Sequence, residues 1–429
     1  MNVLILDSDR CGLDCAYRAA EAGHAVRLWQ AKEKGQISHD GEGFPGIQKV
    51  PGWKEHMNWA KSGLIINLFN APPLTKELDR YRDFGFPVFG PSMKSADLEI
   101  KRELGMKSLE AAGVSVPPYK TFGSLQEAKA YASKSEDRLV FKTLGSEEDK
   151  SMSYCSSSPE DMVWRIEAWI KEGLTLKGPC MLQDFIEGIE VGVSGWMGKT
   201  GFLADKWNVN FEFKKLMPDD YGPATGEMGT VCKYAKTSKL ADTVLKPIEQ
   251  TLIKAGHIGD LDINCIIDDK GVPHALEYTS RFGWPSTYIL MHSHKGDPVK
   301  WMKDALTGKD SLQVDDRTAI GVVMAAPPFP YPDEEGKAQG LLISGIEDEW
   351  NNVAPAHVML KKDQYLTTGT YVCVALALAP DVHDVIPQVY ETVDKIKFPN
   401  RMVRSDIGKR LEKQLPKLHA LGYEEFPHW

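Results

Sequence analysis

The sequence predicts a multidomain chain of α/β and α+β units, and three observations carry that prediction. Its 429 residues exceed what one ordinary hydrophobic core organises. Short apolar runs alternate with helical patterns over the first 90 residues, the mark of a doubly wound parallel sheet. Breaks at Pro117-Pro118 and in the polar stretch 307–316 then divide the remainder. The expected division is an N-terminal α/β domain over 1–96, a central domain over 97–312 and a small C-terminal α+β domain over 313–429.

In order, residues 2–6, 25–29, 64–68 and 86–89 read as buried strands, with a helix over 12–22 closed by Gly23. The first strand-to-helix turn is Asp7-Ser8-Asp9-Arg10-Cys11-Gly12. With one glycine and two acids there, a phosphate is disfavoured unless Arg10 compensates. One amphipathic helix is expected over 97–112, ended by Gly113. A helix over 124–134, a strand over 139–142 and a helix over 159–171 capped by Ser158 follow. Strands at 181–185 and 190–197 precede a long helix at 239–255, and a shorter helix covers 298–306. The C-terminal unit shows strands at 318–325, 358–360 and 371–377 and a helix at 382–396.

Residues 261–285, LDINCIIDDKGVPHALEYTSRFGWP, form the most informative stretch. Two apolar runs flank Asp268-Asp269-Lys270-Gly271, a strong hairpin signal. Period-2 alternation puts Asp262 and Asn264 on one face of the first strand, and Glu277 and Thr279 on one face of the second. The oxygens of Asn264 and Glu277 can then converge near Arg281, a set that suits Mg²⁺ holding nucleotide phosphates. A solvated hairpin face accounts for the same pattern.

Composition excludes several classes. The chain is 42% hydrophobic and 26% charged, as globular proteins are. A net charge of −9 without a basic run argues against direct nucleic-acid binding, though not against a nucleotide ligand. Seven cysteines without a CxxC pair read as reduced thiols of a cytoplasmic protein. No apolar run reaches the roughly 20 residues of a membrane helix, and the N-terminus is no signal peptide. The pair His292 and His294 lacks a third ligand and reads as a surface pair, and Trp207, Trp284 and Trp301 read as core residues.

Seven segments, in order and spacing, resemble the ATP-grasp ligases, and among them phosphoribosylamine–glycine ligase. They are FGPS (89–92) with Glu99 and Lys101 downstream, LVFK (139–142), MLQDFIEGIEVGV (181–193), GPATGEMG (222–229), LEYTSRFGWP (276–285), IGVVMAAPPFP (320–330) and RSDIG (404–408). The resemblance implies an ATP-grasp fold, with residues 117–187 as a mobile lid. It implies ATP binding by Lys101, Lys142, Gln183, Phe185, Ile186 and Glu190, the last on the ribose. It also implies a metal, Mg²⁺ or alternatively Mn²⁺, on Glu277 with Asn264 and Thr279. Thr225, Gly226, Arg281 and Trp284 become substrate contacts, and Arg281 the catalytic group that stabilises an acyl phosphate.

This chain departs from the family on the amine side. The first loop lacks the family's glycine-rich Arg-Glu-His pattern, and NLFNAPPL (67–74) replaces its next substrate loop. Trp284-Pro285-Ser286 stands for Asp-Pro-Glu, Glu227 for a glycine, and the phosphate loop is the acidic Gly145-Ser146-Glu147-Glu148-Asp149-Lys150. The expected function is therefore ATP-dependent ligation of an amino acid such as glycine to an amine, giving ADP and phosphate, with an acceptor other than phosphoribosylamine. An authentic phosphoribosylamine–glycine ligase of purine synthesis is the alternative, and a non-catalytic nucleotide-binding protein the alternative of another class. Small-molecule substrates, no membrane and a monomer or homodimer complete the expectation.

Overall fold

The computed structural model describes residues 1–32, 35, 37–144 and 152–429. The acidic loop 145–150 lies outside the described residues.

The N-terminal unit is a parallel sheet of five strands, in the order Ile47–Val50, Ala25–Gln30, Asn2–Asp7, Leu64–Asn67 and Val88–Phe89. Val3, Leu4, Ile5 and Leu6 are fully buried between its helical layers, as an apolar central strand requires. The sequence lacked a signal for the edge strand Ile47–Val50, because IQKV is half-exposed and carries no apolar run. The helix expected over 97–112 is two, Met93–Ile100 and Arg102–Ala111, broken at Lys101 (φ −96°, ψ 77°). The second crosses close over the first: a Cβ on Gly105 would lie 2.3 Å from the carbonyl oxygen of Leu98.

Residues 119–184 build a four-stranded antiparallel sheet in the order Tyr119–Phe122, Cys180–Asp184, Leu139–Thr143, Tyr154–Cys155. Helices Leu125–Ala132 and Pro159–Lys171 cover it, and Leu125, Phe141, Ile166 and Trp169 form a core of their own. Ser158 caps the second helix as its sequence implies, its hydroxyl accepting from the Asp161 amide at 3.2 Å.

The largest sheet has nine strands. Its main path runs Pro273–Thr279, Gly259–Ile267, Ile189–Gly198, Trp207–Glu212, Gly229–Ala235, Thr318–Ala325, Tyr371–Ala379, Val353–Pro355. Strands of the C-terminal segment therefore continue the central sheet through the pairing of Gly229–Ala235 with Thr318–Ala325. The helix expected over 239–255 is interrupted by a 3-10 turn at Lys246–Ile248, where Pro247 cannot donate to the helical ladder. Helices Ser286–His292 and Leu411–Ala420 were not anticipated; the second carries Pro416. Among the described residues, no helix is long and apolar enough to cross a membrane.

One face of the large sheet is polar. Asn210, Gly192, Asn264 and Glu277 lie side by side across four strands, and Asn208, Ser194, Asp262 and Thr279 form the next row. Gly192 is needed in the first row, because a Cβ there would sit 2.2 Å from Asn210 Oδ1. On the opposite face of the same strand, Val209 and Phe211 are fully buried.

Candidate active site

A cavity of about 560 Å³ opens over this polar face, where the sheet meets the loops of the N-terminal unit. The hairpin supplies its floor. Asn264 and Glu277 are direct cross-strand partners, with a bulge immediately after Asn264, a common device beside functional sites. Arg102, from the start of Arg102–Ala111, donates to Glu277 Oε2 at 2.9 Å. Lys142, in the strand Leu139–Thr143, belongs to the same cluster. Burial lowers its ammonium pKa to about 8, against the pull of Glu277 and Glu190 and with the push of Arg102 and Lys214.

Lys214 joins the strand Trp207–Glu212 to the opposite wall. Its ammonium lies 2.6 Å from Glu190 Oε1 and 3.1 Å from Glu212. Burial works against that charge, but Glu212 and Glu190 hold its pKa well above the usual value. Thus Lys142, Arg102 and Lys214 gather around Glu277 and Glu190, and this cluster reaches the cavity through Lys214 and Glu277.

At the other end Arg281 is held by Glu99, Nε to Oε1 at 3.3 Å. Glu99 Oε2 is fixed in turn by the Ser280 amide at 2.7 Å and Asn70 Nδ2 at 2.8 Å. Burial opposes the Arg281 charge, and the nearby carboxylates of Glu99 and Asp9 sustain it. Trp284 lines this end, stacked on Phe69 with centroids 5.9 Å apart, and its indole N–H is buried without a partner.

The wall is acidic. Six acidic side chains line the cavity (Asp9, Glu99, Glu212, Glu227, Asp262 and Glu277) beside two cations, Lys214 and Arg281. Burial first, then Glu212, pushes the pKa of Glu227 well above the usual carboxylate range, and the same two causes raise Asp262. A divalent ion fits the floor: Glu277 offers a carboxylate, and its neighbour Asn264 has a buried amide oxygen with no hydrogen-bond partner. Thr279 follows two residues on, directly opposite Asp262.

Several expected residues stand elsewhere. Lys101 does not line the cavity; its ammonium, 58% exposed, pairs with Asp97 at 2.9 Å, whereas Arg102, just after the helix break, turns to Glu277. Thr225 uses its hydroxyl on the Lys214 carbonyl at 2.9 Å and so pins the loop, whereas Gly226 lines the cavity with φ +80° and open space at its Cα. Gln183 is buried across the lid sheet from Val140, and Phe185 lies under the Arg138 guanidinium at 3.6 Å. Ile186 follows on the half-exposed connection into the large sheet, and Glu190 lies near the start of the strand Ile189–Gly198, opposite Ile266. The pair at His292 and His294 is half-buried, and desolvation lowers His294 to about 3 and His292 to about 4. His294 bonds the Tyr234 hydroxyl at 2.9 Å. Trp207 and Trp301 are core residues, as read.

Arg102, Glu212 and Lys214 escaped the sequence reading. The signal for the last two was present, because Asn208, Asn210, Glu212 and Lys214 alternate with Trp207, Val209, Phe211 and Phe213.

The first loop explains why no phosphate pattern is seen there. Asp7 accepts from the Cys11 amide at 3.0 Å and the Gly12 amide at 2.7 Å, so the chain's own carboxylate fills the helix N-terminus. Arg10, in the left-handed region at φ 62°, turns to Asp40 at 2.7 Å and to the Thr368 carbonyl at 3.1 Å.

Fold and site together define an ATP-grasp ligase, of the class that forms carbon–nitrogen bonds. Residues 103–287 match the family described as phosphoribosylglycinamide synthetase, ATP-grasp (A) domain, and residues 319–410 match its C domain. Within its class the chain is thus phosphoribosylglycinamide synthetase-like. Phosphoribosylamine–glycine ligase of Halalkalibacterium halodurans is 24% identical, over 96% of this chain and 97% of that protein. The enzyme of that name from Ralstonia nicotianae is 28% identical, over 79% of this chain and 82% of that protein. A crystal structure of phosphoribosylamine–glycine ligase from Thermotoga maritima superposes with a TM-score of 0.72 at 22% identity, covering 95% of this chain and all of that one. An L-amino acid ligase from Bacillus licheniformis shares the fold at a TM-score of 0.58 and 14% identity, covering 92% of this chain and 98% of that one.

Proposed function

We propose that this chain is an ATP-dependent ligase of the phosphoribosylamine–glycine ligase type, which joins the carboxylate of glycine to an amine. The observation that carries the proposal is the cluster of Lys142, Arg102 and Lys214 around Glu277 and Glu190, beside a cavity lined by Lys214, Glu277 and Arg281. A glycine carboxylate oxygen attacks the γ-phosphorus and ADP leaves; the amine then attacks the acyl carbon, phosphate departs, and the amine loses its proton. Glu277 and Asn264, with Thr279 beside them, would hold a divalent ion, Mg²⁺ or alternatively Mn²⁺, which would supply neutralisation of phosphate charge. Lys142 and Lys214 bind the phosphates, and Glu190 takes the ribose. Gln183, Phe185 and Ile186 border the adenine. Arg281, fixed by Glu99, meets charge on the acyl phosphate.

The names of the curated relatives support phosphoribosylamine as the acceptor better than any other amine. A second reading, a phosphate-free amine, is favoured by Asp7, which occupies the anion site of the first helix. Seven unpaired cysteines support a cytoplasmic setting. Measuring ADP release with glycine plus phosphoribosylamine, and then with glycine plus a panel of unphosphorylated amines, separates the readings. Turnover with phosphoribosylamine supports the first; turnover only with a panel amine supports the second. No release with any pair removes the ligase proposal.

A further inference from the structure

The pairing of Trp207–Glu212 with Ile189–Gly198 runs from Asn208, opposite Ser194, to Asn210, opposite Gly192, and stops there. Continued two residues further, the same register would set Glu212 against Glu190, and like charges directly opposite repel. The Lys214 ammonium stands between them instead, 2.6 Å from Glu190 Oε1 and 3.1 Å from Glu212 Oε2. Residues 212–215 have thus lost one of their two strand neighbours, and other groups must take their backbone carbonyls.

Two arginines from the C-terminal segment do so. Arg410 Nη2 donates to the Glu212 carbonyl at 2.5 Å, and Arg404 Nη1 to the Lys215 carbonyl at 3.0 Å. Between those carbonyls the buried ring of Phe213 has its centroid 4.0 Å from the Arg410 guanidinium and 5.1 Å from that of Arg404. Asp220 accepts from both arginines, at 2.8 Å from Arg404 and 3.4 Å from Arg410, and Asp406 holds Arg404 at 2.6 Å. The Lys214 carbonyl is taken by the amide and the hydroxyl of Thr225, each at 2.9 Å. Arg404 is 1% exposed. A charge so buried is tolerated only where its donors are matched, and its acceptors here belong to the segment that bears Glu212 and Lys214. Those two side chains line the cavity, and neither arginine does.

We infer that Arg404, Arg410 and Asp220 are positioning residues for the nucleotide: they fix the backbone of residues 212–215 and thereby aim the Lys214 ammonium at the polyphosphate. The inference rests on the proposed function for the role of Lys214. It adds that nucleotide affinity depends on side chains that do not touch the nucleotide. Guanidinium groups suit the task, because a planar fork donates to a carbonyl and a carboxylate at once in one fixed geometry.

Equilibrium binding of a non-hydrolysable ATP analogue to the full chain, with Mg²⁺ present, tests this through a double-mutant cycle. Arg404 is too deeply buried to remove safely, so the variants are made at Arg410, 27% exposed, and Asp220, 50% exposed. Arg410→Ala and Asp220→Ala should each weaken binding about fivefold to tenfold, and Arg410→Lys, which keeps a donor, only about twofold. Lys214→Ala should weaken it about tenfold or more. In the Lys214→Ala background, Arg410→Ala should add less than about a further twofold, because the arginine acts through the lysine. A merely structural role would lower affinity by the same factor in both backgrounds. An additive cycle overturns the inference, as does wild-type affinity in Arg410→Ala and Asp220→Ala when Lys214→Ala is weak; either result leaves Lys214 on the phosphates. Wild-type affinity in Lys214→Ala removes the lysine from the phosphates, and the inference with it. The ligase reaction is judged apart, by ADP release, since none of these measurements requires turnover.

Discussion

Arg102 donates to Glu277 at 2.9 Å and links the start of one helix to the hairpin that carries this carboxylate. The arginine is almost buried, with 11% of its side chain exposed, and the glutamate is 37% exposed toward the cavity. Geometry of this kind orients a carboxylate without removing it from a metal, because its oxygens accept from several directions.

Glu277→Ala should therefore abolish ADP release, by at least about 10²-fold in kcat. Arg102→Ala should be milder, raising the Mg²⁺ concentration for half-maximal rate about tenfold, an effect in the range expected of a group that orients a metal ligand. Metal titrations of the initial rate measure both. If Glu277→Ala retains turnover, the metal site is misassigned.

Lys142 gives a pH dependence with a defined sign. Burial lowers the ammonium pKa to about 8, and bound phosphates must raise it, because opposite charge favours the charged form. ATP affinity is then full below pH 8. It falls with rising pH, by up to about tenfold per unit, until the pKa of the bound state is reached. Equilibrium binding of an ATP analogue between pH 7 and 9.5 measures the slope. Lys142→Arg should flatten the profile, and Lys142→Met should be weak at every pH; a flat wild-type profile excludes Lys142 from the phosphates.

Much of this organisation was legible in sequence, and the failures share physical causes. The hairpin 261–285 was read correctly because its period-2 alternation and turn residues are local signals. The inward turn of Arg102 was not legible, since the break at Lys101 is imposed by the close crossing at Gly105 against the Leu98 backbone. His294 read as exposed because nothing in HSH reveals that Tyr234 and Trp301 pack against it. The polar linker 307–316 gave no hint that the strands after it continue the central sheet, which they do through the pairing of Thr230 with Gly321. Strand partners distant in sequence leave no local trace.

Asp7 provides a stability test. Burial raises its pKa to about 6 in the fold, against 3.8 in the unfolded reference, although Gln30, Gly12 and Cys11 bond it. A raised folded pKa means that its contribution is fully present below pH 4 and is lost as pH rises through 6. The swing attributable to this group is on the order of 3 kcal/mol at most. Asp7→Asn should make the stability of the chain less dependent on pH between 4 and 7, as read by urea midpoints across that range. An unchanged pH slope rules out Asp7 as a source of it.

Arg281 and Glu99 separate chemistry from positioning. Under the proposed function Arg281 is the cation at the acyl end; Glu99 holds it through Oε1 while Ser280 and Asn70 fix Oε2. Charge on the acyl phosphate and its collapse grows during reaction, so the guanidinium acts more strongly on the transition state than on bound ATP. Arg281→Lys should thus lower kcat by about 10²-fold or more with the KM for ATP within about threefold. Glu99→Gln retains one acceptor oxygen for Arg281 Nε, and its kcat should fall only about tenfold. The two effects should not add in the double variant, because the glutamate works through the arginine. Additive losses would assign Glu99 a contact with substrate of its own, and an unchanged kcat in Arg281→Lys would remove the arginine from the reacting end of the cavity.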